Sequence, residues 1–119
     1  MNTEALLRSL YRRVPEFRAD ALFLDLPYVV FGEFAGFVVD LLRERGSDDP
    51  VVKRSFEFVN DLCLEDDPEM INVIETTLFE QLADDIVIGR AAHALLEPSA
   101  RASFERIARW AGGIEVRPL

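Results

Sequence analysis

Apolar positions recur along this chain at spacings of three and four, the period of helices that bury one face. Leu6, Leu7, Leu10, Tyr11 and Val14 form the first such stripe. It predicts a helix from Thr3 to Val14, with Thr3 as N-cap and Pro15 as its stop. A short second helix is expected within Glu16 to Leu24. Tyr28 to Arg45 differs, because only Glu33 and Asp40 interrupt its apolar and glycine positions before Arg43. A helix that is apolar nearly all round belongs at the centre of a bundle. Gly32 and Gly36 share a face of it, and each costs about 1 kcal/mol relative to Ala in a helix interior. Close approach of a neighbouring helix is the expected compensation. Gly46 is a natural C-terminal stop.

Polar punctuation sets the next elements. Asp48-Asp49-Pro50 precedes Val51 to Leu64, and Asp66-Asp67-Pro68 precedes Glu69 to Ala83. An Asp before Pro starts a helix: its carboxylate accepts from free N–H groups, and Pro suits the first helical position. Two helices joined so closely are expected to form an antiparallel hairpin. Asp84-Asp85 breaks the pattern, and the β-branched Ile86-Val87-Ile88 reads as extended. A short helix from Arg90 to Leu96 follows. Pro98 opens a last helix, Ser99 to Ala111, ended by Gly112-Gly113. Ile114 to Leu119 is a C-terminal tail. The chain therefore reads as all-α: one domain over 1–119, a compact bundle of five to six helices, with HEAT-like stacked hairpins as one arrangement of it.

With 119 residues, half of them hydrophobic and nine of them Phe, the chain can build a core without disulfides or metal. The single Cys63 lies in an apolar run and reads as a small buried hydrophobe. Such cysteine usage suits a reducing cytoplasm. Met1 to Val14 is charged throughout and has no run resembling a leader. The longest apolar stretch, Ala21 to Leu42, contains Asp25, Glu33 and Asp40. Each carboxylate near a membrane centre costs roughly 2.5–3.5 kcal/mol, so a core helix is expected there and not a span.

Candidate chemistry is sparse. One His, His93, and one Cys cannot make a zinc site of the usual kind, and no local motif pairs them for nucleophilic catalysis. His93 reads as a helix-surface or satisfied core residue. Phosphate-binding, dinucleotide and EF-hand loops are missing. The Asp pairs at 48–49 and 66–67 are explained by helix capping. Glu33 and Asp40, two turns apart, read as a polar stripe that meets solvent or Arg. Glu75 falls inside the apolar arc of its helix, as a buried carboxylate with a raised pKa, one paired with an Arg, or one that snorkels out at the helix edge. No cofactor is expected, and the chain does not read as an enzyme.

Charge changes this picture. Residues 1–54 hold nine acids and eight bases; residues 55–89 hold ten acids and no Lys or Arg; residues 90–119 hold three acids and five bases. The formal charge of −9 is thus concentrated in one block. Within it Glu57, Asp61 and Glu65 follow at helical spacing, and like charges so placed repel by a few tenths of a kcal/mol per pair. On the next helix Glu69, Asn72, Thr76 and Glu80 form a polar face. Such a surface repels nucleic acid and speeds the docking of cationic proteins. These seven residues are the candidate partner-binding set.

The run Leu26-Pro27-Tyr28-Val29-Val30-Phe31-Gly32-Glu33-Phe34-Ala35, with Phe58-Val59-Asn60-Asp61-Leu62, Asn72 and Phe79-Glu80-Gln81-Leu82, resembles small all-helical bacterial immunity proteins of polymorphic toxin systems. It spans about residues 20–85. The resemblance implies a cytoplasmic protein that binds and blocks a cognate toxin domain, a basic protein by charge. The alternative is a helical adaptor or scaffold in bacterial regulation, with no toxin partner.

Overall fold

Aspartate and proline set most of the helix boundaries. In the computed structural model, which describes residues 3–19 and 26–109, six helices follow one another and no strand occurs among the described residues. They are α1 (Thr3–Arg13), α2 (Pro27–Arg45), α3 (Pro50–Leu64), α4, α5 (Ile86–Leu95) and α6 (Pro98–Ile107). Helix α4 runs α-helically over Pro68–Ile74, widens to π geometry over Glu75–Phe79 and closes α-helically over Glu80–Ala83. None of these helices is long and apolar enough to cross a membrane.

The caps act as the sequence implies. Asp49 Oδ1 accepts from the amides of Val51 at 2.9 Å and Val52 at 3.2 Å. Asp67 does the same for Glu69 and Met70. The expected extended segment at 86–88 is instead the first turn of α5. Asp85 caps it, accepting from Val87 at 2.8 Å and Ile88 at 3.1 Å. Those amide bonds hold the Asp85 carboxyl below the usual carboxylate range, with Arg43 beside it adding to the effect. A satisfied N-terminus outweighs the strand preference of three β-branched residues. Thr3 is already helical, inside the first turn of α1.

The expected helix within 16–24 is not formed at its start. After α1 the amide of Phe17 turns back to the carbonyl of Val14. This drops Phe17 against α2, 5.3 Å from the Phe34 ring and 5.4 Å from Phe37. Burial of one aromatic ring decides the local shape over helix propensity. Residues 20–25, and the final stretch with Trp110 and the 114–119 tail, lie outside the described residues.

Side-chain contacts give the directions of the helices. Arg13 at the end of α1 meets Asp61 and Glu16 in the turn after it meets Arg54, so the chain leaving α1 runs back along α3 toward its start. Tyr28 meets Asn72 and Arg43 meets Asp85, so α2 and α4 run side by side in the same direction. Helix α3, between them in sequence, returns the chain and makes the expected hairpin with α4. The core forms where α2, α3 and α4 meet: Phe31, Phe34, Phe58, Ile74 and Leu78 are fully buried. Helix α6 covers α3 and the π segment, with Phe104 edge-on to Phe79 at 5.5 Å.

Gly32 and Gly36 do not mark a close helix crossing. A Cβ at either position meets nothing within 4 Å. The tight approach is at Gly89, where a Cβ would lie 3.3 Å from the Leu82 carbonyl oxygen and 3.9 Å from the Phe104 ring. Gly32→Ala and Gly36→Ala are therefore expected to stabilise the fold, by about 0.5–1 kcal/mol each, because helix propensity rises with no clash. Thermal melts of the two variants check this; a lowered midpoint would restore the crossing at 32–36.

Candidate functional site

Helix α3 buries Val52, Phe56, Val59 and Cys63, and this puts Glu57, Asp61 and Glu65 on its open side. The three carboxylates are not equivalent. Asp61 Oδ2 lies 2.8 Å from Arg13 Nη2, and the Arg13 guanidinium also sits 5.7 Å from the centre of the Phe58 ring. Further along the same seam Glu16 receives two hydrogen bonds from Arg54, which hold its carboxyl below the usual range. Asp61 thus helps to fasten α1, and it is not a free element of a steering stripe. Glu57 and Glu65 are exposed and form no ion pair among the described residues.

The polar face of α4 is also partly committed. Asn72 Nδ2 donates to the Tyr28 hydroxyl at 2.8 Å, and Thr76 Oγ1 donates to the Asn72 carbonyl at 2.8 Å. Beyond them Gln81 donates to the Gly32 carbonyl. Glu69 is exposed in the first turn, whereas Glu80 is half-buried. The α3 row therefore leads to α1 and the α4 row to α2. The rows come together at the α3–α4 turn, where Glu65, Asp66 and Glu69 are all exposed. Asp66 holds that turn with φ of 54°, left-handed backbone that an Asp tolerates better than most residues.

Charge reversal separates these roles. Glu57→Lys is expected to leave the melting temperature near that of the parent. Asp61→Lys sets a cation against Arg13 and is expected to lose about 0.5–1 kcal/mol. Equal melting curves for the two variants would return Asp61 to the free stripe.

Of the three readings of Glu75, the structure shows the one paired with an arginine. It is nearly buried, accepts from Ser103 Oγ and pairs with Arg106. The π geometry begins at this residue, and the amide of Glu80 reaches back five residues to its carbonyl. Next to the pair, Cys63, Asp66, Ile71, Ser99, Ala102, Ser103 and Arg106 line an open groove of about 310 Å³. Burial, with the Glu75 charge behind it, pushes the Cys63 thiol up to about 11. At neutral pH it is a thiol and not a thiolate, hence a poor nucleophile. Cys63 in the folded protein is expected to resist alkylation at pH 7.5 and to react fully in denaturant. Rapid alkylation of the native chain would contradict this.

His93 is a satisfied core residue. Its Nε2 lies 2.6 Å from Glu105 Oε1 while Arg101 Nε donates to its carbonyl at 3.1 Å, so the group ties α5 to α6. No cluster of three or more metal-ligating side chains forms among the described residues. Glu33 is half-buried and Asp40 is exposed on α2.

Two features escaped the sequence reading. Asn60, buried on α3, holds the connection between α5 and α6: its Nδ2 donates to the Leu95 carbonyl at 3.2 Å and its Oδ1 accepts from the Glu97 amide at 2.8 Å. Leu26, Tyr28 and Val29 are exposed at the start of α2, in a stretch that reads as core. Only the exposure itself reveals them, since an apolar run of this kind carries no sign of which member faces out.

Neither a comparison with curated proteins nor one with solved structures finds a match. A family model described as Domain of unknown function (DUF7674) matches residues 7–111, nearly the whole helical bundle, and the chain belongs to that family.

Proposed function

We propose that this protein works by stoichiometric binding of a basic partner protein, and that in its sharpest form it is an immunity protein that neutralises a cognate toxin domain in the bacterial cytoplasm. The observation that carries this reading is the acidic block at 55–89, from which Glu57, Glu65, Asp66 and Glu69 emerge exposed and without ion-pair partners among the described residues. Acids kept only for folding would be expected to meet bases, as Asp61 and Glu75 do, or to cap helices, as Asp67 and Asp85 do. Unpaired ones draw a cationic protein in and repel nucleic acid. The resemblance of 26–35 and 58–62 to immunity-type proteins supports the toxin as the partner. No catalytic step and no cofactor enters this function.

The test is co-expression with the protein encoded by the adjoining gene. Survival of cells making an otherwise lethal neighbour, together with co-purification at one-to-one stoichiometry, is the expected result. A harmless neighbour that still co-purifies would favour the adaptor. Absence of any salt-dependent partner would remove the acidic surface from consideration.

A further inference from the structure

We infer that the docking point is the corner where the starts of α2 and α4 meet, and that its occupant is a basic segment of the partner protein carrying an apolar anchor. This rests on the protein-binding function proposed above and locates it. Leu26 is 50% exposed, Tyr28 44% and Val29 37%, three open apolar side chains within four residues. Exposed apolar groups that cluster beside polar ones mark interaction surfaces. Pro27 sits between them and, with Glu69, Met70 and Val73, lines a cleft that Thr3 and Leu6 close from α1.

Tyr28 is already held. The hydrogen bond from Asn72 fixes its hydroxyl, so its ring loses little freedom when a partner arrives. A rigid tyrosine that offers an apolar face is the side chain most often found to dominate binding energy, along with Trp and Arg.

Charge selects the occupant. Glu69 lines the cleft itself, and Glu65 and Asp66 are exposed in the α3–α4 turn that leads into α4. The starts of α1, α2 and α4 contribute roughly half a positive charge each, which offsets between one and two of these three carboxylates and still leaves the corner negative. A second copy of this chain would bring the same acids to a two-fold contact, and an anionic membrane surface would also be repelled. A basic protein segment complements both parts of the surface. The other exposed apolar pair, Ile86 and Val87, lies at the far end of α2, beside Asp85 and Arg43 with opposite charges 3.6 Å apart. No such selection operates there.

The experiment titrates the isotopically labelled full chain with a synthetic amphipathic peptide of Leu and Lys, and with its Leu and Glu counterpart, at low and high salt. Shifts are expected with the Lys peptide alone, centred on Leu26, Tyr28, Val29 and Glu69. Val29→Lys and Tyr28→Ala should weaken binding roughly tenfold, while Tyr28→Phe, which keeps the ring but loses the bond to Asn72, should weaken it less, about two- to threefold. Circular dichroism of each variant checks that it folds. Shifts confined to the Glu57–Asp61 part of α3, or full affinity in Val29→Lys, would overturn the corner and leave the acidic-surface function standing. Equal response to both peptides at low salt would overturn both. Dimerisation of the chain abolished by Val29→Lys would make a second copy the occupant and overturn the basic segment.

Discussion

Asn60→Ala is expected to lower the stability of this protein by about 3 kcal/mol, a large fraction of what a domain of this size possesses. The substitution removes one side chain and leaves two backbone groups without partners: the Leu95 carbonyl and the Glu97 amide. Both bonds are part-buried; an unsatisfied group shielded from water costs about 1–3 kcal/mol, these two fall toward the low end of that range, and the small cavity adds to the loss. The melting temperature should fall by roughly 10 °C. Asn72→Ala provides the contrast. Its bond to Tyr28 is exposed, water can replace it, and the loss should stay within about 1 kcal/mol. Hydrogen exchange gives a second measurement. In Asn60→Ala the amides of α6 should lose protection before those of α2, because the connection that Asn60 holds leads directly into α6. A melting curve for Asn60→Ala that matches Asn72→Ala would show that the bridge carries no net stability.

Glu75→Lys is expected to be the second severe substitution, at about 2–3 kcal/mol. The side chain is 14% exposed and its partner Arg106 61%, so the pair is screened on one side and the full penalty of a buried unpaired charge does not apply. The new ammonium faces the Arg106 guanidinium and replaces the acceptor of the Ser103 hydroxyl. The swap Glu75→Lys with Arg106→Glu restores opposite charges and should recover part of the loss. Glu75→Gln keeps the shape and one acceptor, and should cost about 1 kcal/mol. Thermal melts of the three variants check the order. If the swap is no better than the single reversal, the penalty comes from the fit of the side chain in the π turn and not from its charge.

The helical class and most boundaries of this fold were legible because their causes are local. Asp49 and Asp67 bond to amides two and three residues away, and Gly46 ends α2 through a positive φ and a bond from its amide to the Leu42 carbonyl. Asp85 uses the same chemistry, but without a following proline and ahead of Ile86-Val87-Ile88, and the strand preference obscured it. What stayed illegible is long-range. Asp61 meets an arginine 48 residues away, and Asn60 serves backbone atoms 35 and 37 residues away. Backbone carbonyls have no letter in the sequence, so a residue that serves them looks like any other polar residue. Of the candidate site, the exposed Glu57, Glu65 and Glu69 were readable from periodicity. That Asp61 is engaged, and that Tyr28 stands open beside α4, required the packing of one helix on another. Glycine shows the same: Gly89 and not Gly32 is where two backbones draw close, and only the packing of the helices distinguishes them.

The wide turn at Glu75–Phe79 bears on how this helix tolerates changes in its length. A residue removed from ordinary α-helix rotates everything beyond it by about 100° and turns a buried face outward. A turn bonded over five residues already carries one residue more than the four-residue ladder requires. Losing Thr76, which faces solvent and bonds only to its own helix, would let the ladder close while Ile74 before it and Leu82 after it keep facing the core. Relatives shorter by one residue at this position can therefore share the same core, and an alignment gap there would mark a helix rewound without repacking.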